Sequence, residues 1–376
     1  MTLALVLAPL LAALTTFLLT PRLLPMLRRR AMDRPNARSS HTVPTPRGGG
    51  IAVCAGTLVG AAIFSSGMAA IGIPLAWLGP TAGILALAGV LAALSWRDDR
   101  RPLPVSLRFG AQGLAVAAGL ALLMGWPGGE LSGTAVIGPI SALLLPLFSH
   151  LGVSTLMPLW LDLPIAWLAW MWVMNATNFM DGIDGITIAD GVPFCVGWTA
   201  LVLIGAASHT FGFPAANSSL PLHILASVIL APALGGALLG FTPSNWPPAK
   251  AFLGDVGSIP IGYLTGFGLL ALCMLGLGPA ALVLLAYPLT DATLTLCKRA
   301  MRGEKVWRPH RSHAYQRAAA TRGHRAVSGR VALANGALVA IAVAGLSHPW
   351  TALAGAALIV GILLVWMERA ARKGDT

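Results

Sequence analysis

The chain has 376 residues, of which 56% are hydrophobic and only 10% charged, and its mean hydropathy is +0.76. Soluble domains carry about 25% charged residues, so composition excludes a soluble globular protein and points to the membrane. A net charge of +12 would suggest nucleic acid in a soluble chain, but the positions of the basic residues exclude that partner here.

Apolar runs of the roughly 20 residues that a bilayer requires recur at 3–24, 50–69, 75–95, 106–126, 159–177, 188–207, 222–241, 258–276, 280–297, 329–346 and 350–367. They predict an all-α polytopic membrane protein of about eleven spans, a single membrane-embedded domain over residues 1–376. The first run has no Lys or Arg before it and Arg28, Arg29 and Arg30 after it. That polarity is the reverse of a secretory signal and predicts an uncleaved anchor. The segment 132–149 is apolar but interrupted by Pro139, Pro146 and several Gly and Ser residues, and reads as an outer-side connection or a re-entrant piece.

The connections 22–47, 97–108, 242–257, 298–330 and 368–376 hold 7, 4, 1, 10 and 3 Lys and Arg, which is all 25. The positive-inside rule makes them cytoplasmic. It puts the amino terminus outside and the carboxyl terminus inside, with inner-side loops near 28–47, 96–105, 178–187, 242–257 and 298–328. Cys54, Cys195, Cys273 and Cys297 sit in or beside spans at unrelated spacings, as small packing residues without a disulfide or metal role.

Acidic residues number only 13, so their positions carry information. Asp33, Asp98, Asp99, Asp181, Asp184, Asp255 and Glu304 fall on the inner side, Asp291 near the inner end of a span and Asp190 at the start of one. Glu130 and Asp162 remain for the outer connections. Acids gathered at one membrane edge repel unless something positive lies between them, and a divalent cation would serve.

Taken along the chain, the first polar stretch is "DRPNARSSHTVPTPRGGG" (33–50), chemically ordered beyond what a connector needs. The second, "WRDDRRPLPVSLRFGAQ" (96–112), sets Asp98 and Asp99 among Arg97, Arg100, Arg101 and Arg108; alone, such a pair is most often a solvated helix end. The third, "NATNFMDGIDGI" (175–186), places Asn175, Asn178, Asp181 and Asp184 every third residue. Steps of three drift by about 60° each, so the four cannot share one helical face. Gly182 and Gly185 let the chain leave helical geometry there. The order D-x-[DN]-x-[DN]-G of a calcium loop is absent.

The fourth stretch, "SNWPPAKAFLGDVGSIPIG" (244–262), opens a span with Asp255 and free N–H groups, an arrangement that suits phosphate oxygens and a bridging magnesium ion; a plain helix cap is the plainer account. The fifth, 297–328, contains "RPHRSHAYQR", where His310, Arg311 and His313 lack a third zinc ligand at suitable spacing. Anion or base recognition is therefore expected of them.

Together the five stretches resemble the polyprenyl-phosphate N-acetylhexosamine-1-phosphate transferases, and "PHRSHAYQR" is nearest in form to the bacterial O-antigen-initiating subgroup. The resemblance implies transfer of an N-acetylaminosugar 1-phosphate from a UDP-sugar to undecaprenyl phosphate with release of UMP, at the cytoplasmic face of the inner membrane. It implies magnesium, with manganese as an expected substitute. Position by position, it makes Asp255 the leading magnesium ligand and Asn178 a second contact to metal or diphosphate. Asp98 and Asp99 take the place of the essential pair and Arg108 a phosphate contact. Asp181 and Asp184 would order their loop and contact the nucleotide, Asp184 being the candidate for uridine, and His310, Arg311 and His313 would contact the UDP-sugar phosphates or the sugar.

Two mechanisms fit that reaction: direct attack by the lipid phosphate, with Asp98 steering or deprotonating it, or a covalent intermediate on an aspartate. Direct attack is favoured, because a lipid phosphate is largely ionised near neutral pH. A lipid-linked-sugar flippase is the main rival class, but transporters place polar groups at the midplane and often repeat a half. A CDP-alcohol phosphotransferase would need an Ala-Arg after Asp-Gly that "DGIDGITIAD" lacks, and a non-catalytic scaffold would need none of this chemistry. Gly236…Gly240 and Gly262…Gly266 fit the GxxxG pattern and suggest a homodimer.

Overall fold

The computed structural model describes residues 2–35, 40–41, 43–74, 78–125, 138–148, 157–207, 222–306, 308 and 310–372. Its helices are α1 (Thr2–Arg30), α2 (Gly50–Ala70), α3 (Gly79–Arg100), α4 (Val105–Leu123), α5 (Pro139–Phe148), α6 (Leu159–Met180) and α7 (Ile186–Ala207), followed by α8 (Leu222–Asn245), α9 (Asp255–Met274), α10 (Gly278–Leu284), α11 (Ala286–Met301), α12 (Ala314–Arg322), α13 (His324–Ala344) and α14 (Pro349–Arg372). Among the described residues, the only strands are the two-residue pair β1 (Met32–Asp33) and β2 (Thr45–Pro46), antiparallel. The chain is an all-α polytopic membrane protein.

Nine described helices are long and apolar enough to cross a membrane. The pair α10 and α11, bent by 70°, is long and apolar enough only when taken together, as a broken span or a re-entrant loop. Pro288 accounts for the bend: it lacks an N–H, and its ring would meet the carbonyl four residues earlier, at Leu284, where α10 stops. The eleventh expected span is α6, whose 22 residues reach about 33 Å. Asp162, Asn175, Asn178 and four tryptophans make it more polar than the rest.

The segment expected to be a connection or re-entrant piece is in part a helix. Residues 132–137 and 149 lie outside the described residues, and Pro139–Phe148 forms α5, whose ten residues reach roughly 15 Å, too short to span. Asp162, fully buried on α6, accepts the N–H groups of Ile140 (3.0 Å) and Ser141 (2.7 Å) and the Ser141 hydroxyl (2.7 Å). It caps α5, as a carboxylate at a helix start should.

Helix α9 is the axis of the fold, buried from Val256 to Cys273. A Cβ on Gly262 would lie 2.7 Å from the Met174 carbonyl oxygen, and one on Gly266 would lie 2.3 Å from Trp170. On α8, Cβ atoms on Gly236 and Gly240 would lie 2.2 and 2.1 Å from the carbonyl oxygens of Pro9 and Ala13 on α1. Both GxxxG patterns are thus consumed by helix contacts within the chain, and neither is left to make a dimer.

The C-terminal ends of α3, α6 and α8 and the N-terminal ends of α7, α9 and α13 meet at one end of this bundle, and the polar loops meet there too.

Candidate active site

The floor of the site is backbone against backbone. The N–H groups of Gly48 and Gly49 donate to the Phe252 carbonyl (3.1 and 2.8 Å), that of Gly50 to Leu253 (2.9 Å), and that of Phe252 to Pro46 (2.9 Å). A Cβ on Gly50 would sit 2.3 Å from the Gly257 Cα, so this approach requires the glycine run. Gly254, at φ +75°, then turns the chain into α9 and sets Asp255 at its first position.

The result is a cation between two acids from distant segments. Nη2 of Arg47 donates to Oδ1 of Asp255 and lies 3.2 Å from Oδ1 of the buried Asp99. Asp99 also accepts the Val256 N–H at 3.2 Å. Burial opposes the charge on Arg47, but Asp255 and Asp99 outweigh it and hold the guanidinium more firmly protonated than usual. The positive group expected among these carboxylates is, in the chain itself, an arginine.

Above this floor opens a cavity of about 550 Å³. Of the residues predicted from sequence, Asp98, Arg108, Asn178, Asp255, His310 and His313 line it, together with Arg47, Gln112, Asn175 and Arg308. Asp98 is engaged on both oxygens, by Arg108 Nη1 (2.7 Å) and the Leu103 N–H (2.6 Å). Asn178 Oδ1 accepts the Ser258 hydroxyl at 2.6 Å, tying the end of α6 to the start of α9.

The far wall is the loop after α11. Arg299, nearly buried, fans its guanidinium onto Glu304 (2.7 Å) and the carbonyls of Lys305, Val306 and Arg308 (3.3 to 3.4 Å). Asp291 accepts the N–H groups of Ala314 (3.0 Å) and Tyr315 (3.2 Å), capping α12. These two residues set the histidines: the rings of His310 and His313 are 4.9 Å apart, and His313 stacks on Phe179 at 6.4 Å. Burial, with the charges of His313 and Arg299 in support, pushes His310 down to about 4. The guanidinium groups of Arg47, Arg108 and Arg308 line the same cavity.

Four predicted residues do not line the cavity. Asp99 lies beneath it. Asp181 turns away to accept the Thr187 hydroxyl, and burial pushes its carboxyl up to about 7 although Thr187 pulls the other way. Asp184 has both oxygens in contact, with His324 Nδ1 (3.1 Å) and the Ala249 N–H (3.0 Å), and so orders the loop by tying segments together. Arg311 also lies outside the lining. The sequence reading passed over Arg47, Arg299, Arg308, Ser258 and His324; for Arg47, the glycine run that follows it was the available signal of a close approach.

A profile described as glycosyl transferase family 4 matches residues 81–274, more than half of the chain. A decaprenyl-phosphate N-acetylglucosaminephosphotransferase of Mycobacterium tuberculosis is 28% identical over 81% of this chain and 73% of its own. A Streptomyces coelicolor protein with a provisional glycosyltransferase name is 31% identical over 96% of this chain and 77% of its own. The chain belongs to glycosyl transferase family 4. A phospho-N-acetylmuramoyl-pentapeptide-transferase of Mycolicibacterium vanbaalenii is 29% identical over 67% of this chain and 71% of its own, so these named relatives include sugar-phosphate transferases, one of them named for decaprenyl phosphate.

Within this glycosyl transferase family 4 chain, the matched region supplies Asp98, Asp99, Arg108, Asn178 and Asp255. Arg47 and the histidine loop complete the cavity from outside it. Among the described residues, no three His, Cys, Asp or Glu side chains converge on one point, so a metal would not be held by a closed protein cage. Asp255 and Asn178 nonetheless line the same cavity, with one Asp255 oxygen on Arg47 and the Asn178 amide oxygen on the Ser258 hydroxyl. Two hard oxygens, with phosphate and water completing the shell, make a donor set that fits magnesium.

Proposed function

We propose that this protein transfers an N-acetylaminosugar 1-phosphate from a UDP-sugar to undecaprenyl phosphate, giving undecaprenyl-diphospho-sugar and UMP. The reaction would be the first membrane step of a cell-envelope polysaccharide, O-antigen being the one that the histidine loop resembles. The active face would be cytoplasmic and the membrane a bacterial inner membrane, on the distribution of Lys and Arg. The observation that carries the reading is one cavity at the end of the span bundle where Arg47, Arg108 and Arg308 face Asp255 and Asn178. Both substrates are anions whose phosphates must meet in line, and in such transfers a protein mainly positions reactants and neutralises charge.

In this reading a lipid phosphate oxygen attacks the sugar-proximal phosphorus, the bond from that phosphorus to the bridging oxygen breaks, and UMP leaves with the electron pair. Arg108, fixed by Asp98, meets a phosphate; because both Asp98 oxygens are engaged, Asp98 steers rather than removes a proton. Arg47 is held at the carboxylates until an anion enters. Asp255 and Asn178 would hold magnesium, which when bound neutralises diphosphate charge.

The test is an exchange assay. Purified protein with undecaprenyl phosphate, magnesium and a panel of UDP-N-acetylaminosugars (GlcNAc, FucNAc, QuiNAc) should release UMP with at least one donor; silence across the panel sinks the proposal. Asp255→Asn should lose about 100-fold or more of the rate, the scale expected on removing one electrostatic element of a transition-state site, while helix content is kept. A phosphorylated enzyme trapped with UDP-sugar in the absence of lipid would overturn direct attack.

A further inference from the structure

A second cavity, of about 530 Å³, opens between the C-terminal ends of α11 and α14 and shares no lining residue with the first. One wall is apolar, with Leu294, Leu364 and Val365, while the buried Asp291, Thr295 and Arg299 line its depth. Its mouth carries Lys298, Arg302, Arg317, Arg369 and Arg372 around Glu368. Glu368 is already shared by Arg317 and, at 3.9 Å, Lys298. Among the described residues no acid pairs with Arg302, Arg369 or Arg372, and all three are exposed. The proposed transfer uses none of them.

We propose that this groove binds the phosphate head group of an anionic glycerophospholipid from the surrounding bilayer. One side is α14, a candidate span, and the other is α11, the longer half of the bent pair, so a lipid reaches the groove from the surrounding bilayer. Three exposed guanidinium groups answer the phosphate, and the apolar wall answers the upper acyl chain. Arg302 with Glu304, and Arg372 with Glu368, are near enough to feel each other's charge but are not in an ion pair. A soluble phosphate would leave that wall uncovered. Occupancy would also reach the active cavity, because Arg299 and Asp291, which pin the histidine loop and α12, stand on the same face of α11.

The full chain is reconstituted in phosphatidylcholine vesicles with traces of spin-labelled phosphatidylglycerol or phosphatidylcholine, and the motionally restricted fraction of each label is read. Wild type should hold the anionic label preferentially. The triple variant R302Q/R369Q/R372Q should lose at least about fivefold of that preference, the attraction expected of a single basic residue near an anionic lipid, and the matching lysine variant should keep it. Unlabelled phosphatidylglycerol should displace the label, and inorganic phosphate should not. An unchanged preference in the triple glutamine variant overturns the proposal, as does displacement by inorganic phosphate or, at lower concentration than phosphatidylglycerol, by undecaprenyl phosphate. If the triple variant loses helix content, Arg302→Gln and Arg372→Gln are read singly by the same criteria. The measurement needs no turnover, so it stands or falls apart from the UMP assay.

Discussion

Asp181 and Asp184 stand three residues apart in one turn, yet their surroundings drive them in opposite directions. Burial raises Asp181 from its ordinary value of 3.8 to about 7, against the pull of the Thr187 hydroxyl and of Arg47. Below 3.8 both folded and unfolded chains hold this proton; between about 3.8 and about 7 the unfolded chain releases it and the folded one does not. Its contribution is therefore present at low pH and lost as pH rises through the folded value. The melting temperature of the metal-free protein in detergent should fall across that window, and Asp181→Asn should remove this part of the fall. A pH profile identical in wild type and variant would refute the assignment.

At the scale of elements, the decisive feature is the contact of the 47–50 turn with the start of α9. Gly50→Ala would drive a methyl into the Gly257 backbone and displace Arg47 from Asp99 and Asp255. A displacement of about 1 Å at a catalytic site costs on the order of 100-fold in rate. UMP release should drop by that factor while far-UV circular dichroism is unchanged; full activity would show that the turn does not set the site. Helix α6 illustrates the same dependence on elements. It carries Asn175 and Asn178 to the cavity and stops at Met180, so the three-residue beat that continues through Asp181 and Asp184 leaves the helix and serves different contacts.

Over the whole molecule, Asp184 gathers four segments. It accepts from Ala249 and from His324, whose other ring nitrogen lies 3.1 Å from the Ser40 carbonyl, and its own carbonyl accepts the Ser328 hydroxyl at 2.7 Å. Burial would raise its carboxyl, but the His324 and Ala249 hydrogen bonds and the nearby histidines outweigh that and lower it. This stabilisation is present above the ordinary carboxylate value and is lost as pH falls through the depressed one. Asp184→Ala should cost about 1–3 kcal/mol at neutral pH, read as a lower melting temperature, and should open the 40–47 segment to protease. The gap from wild type should close in acid. Equal stability at neutral pH would remove the clasp.

The sequence by itself determined the membrane class, the positions of the spans and which loops share a side, because hydropathy, length and Lys/Arg counts are local sums along the chain. It also flagged the acids and asparagines of the site. Only the tertiary structure decided which of them meet. Arg47 reaches Asp255 across 208 residues of sequence, and no local pattern encodes a contact made by helices packing around α9. The same reason separates the GxxxG motifs from a dimer, turns part of 132–149 into α5, and sends Asp181 and Asp184 into structural contacts while Asn178 stays in the cavity.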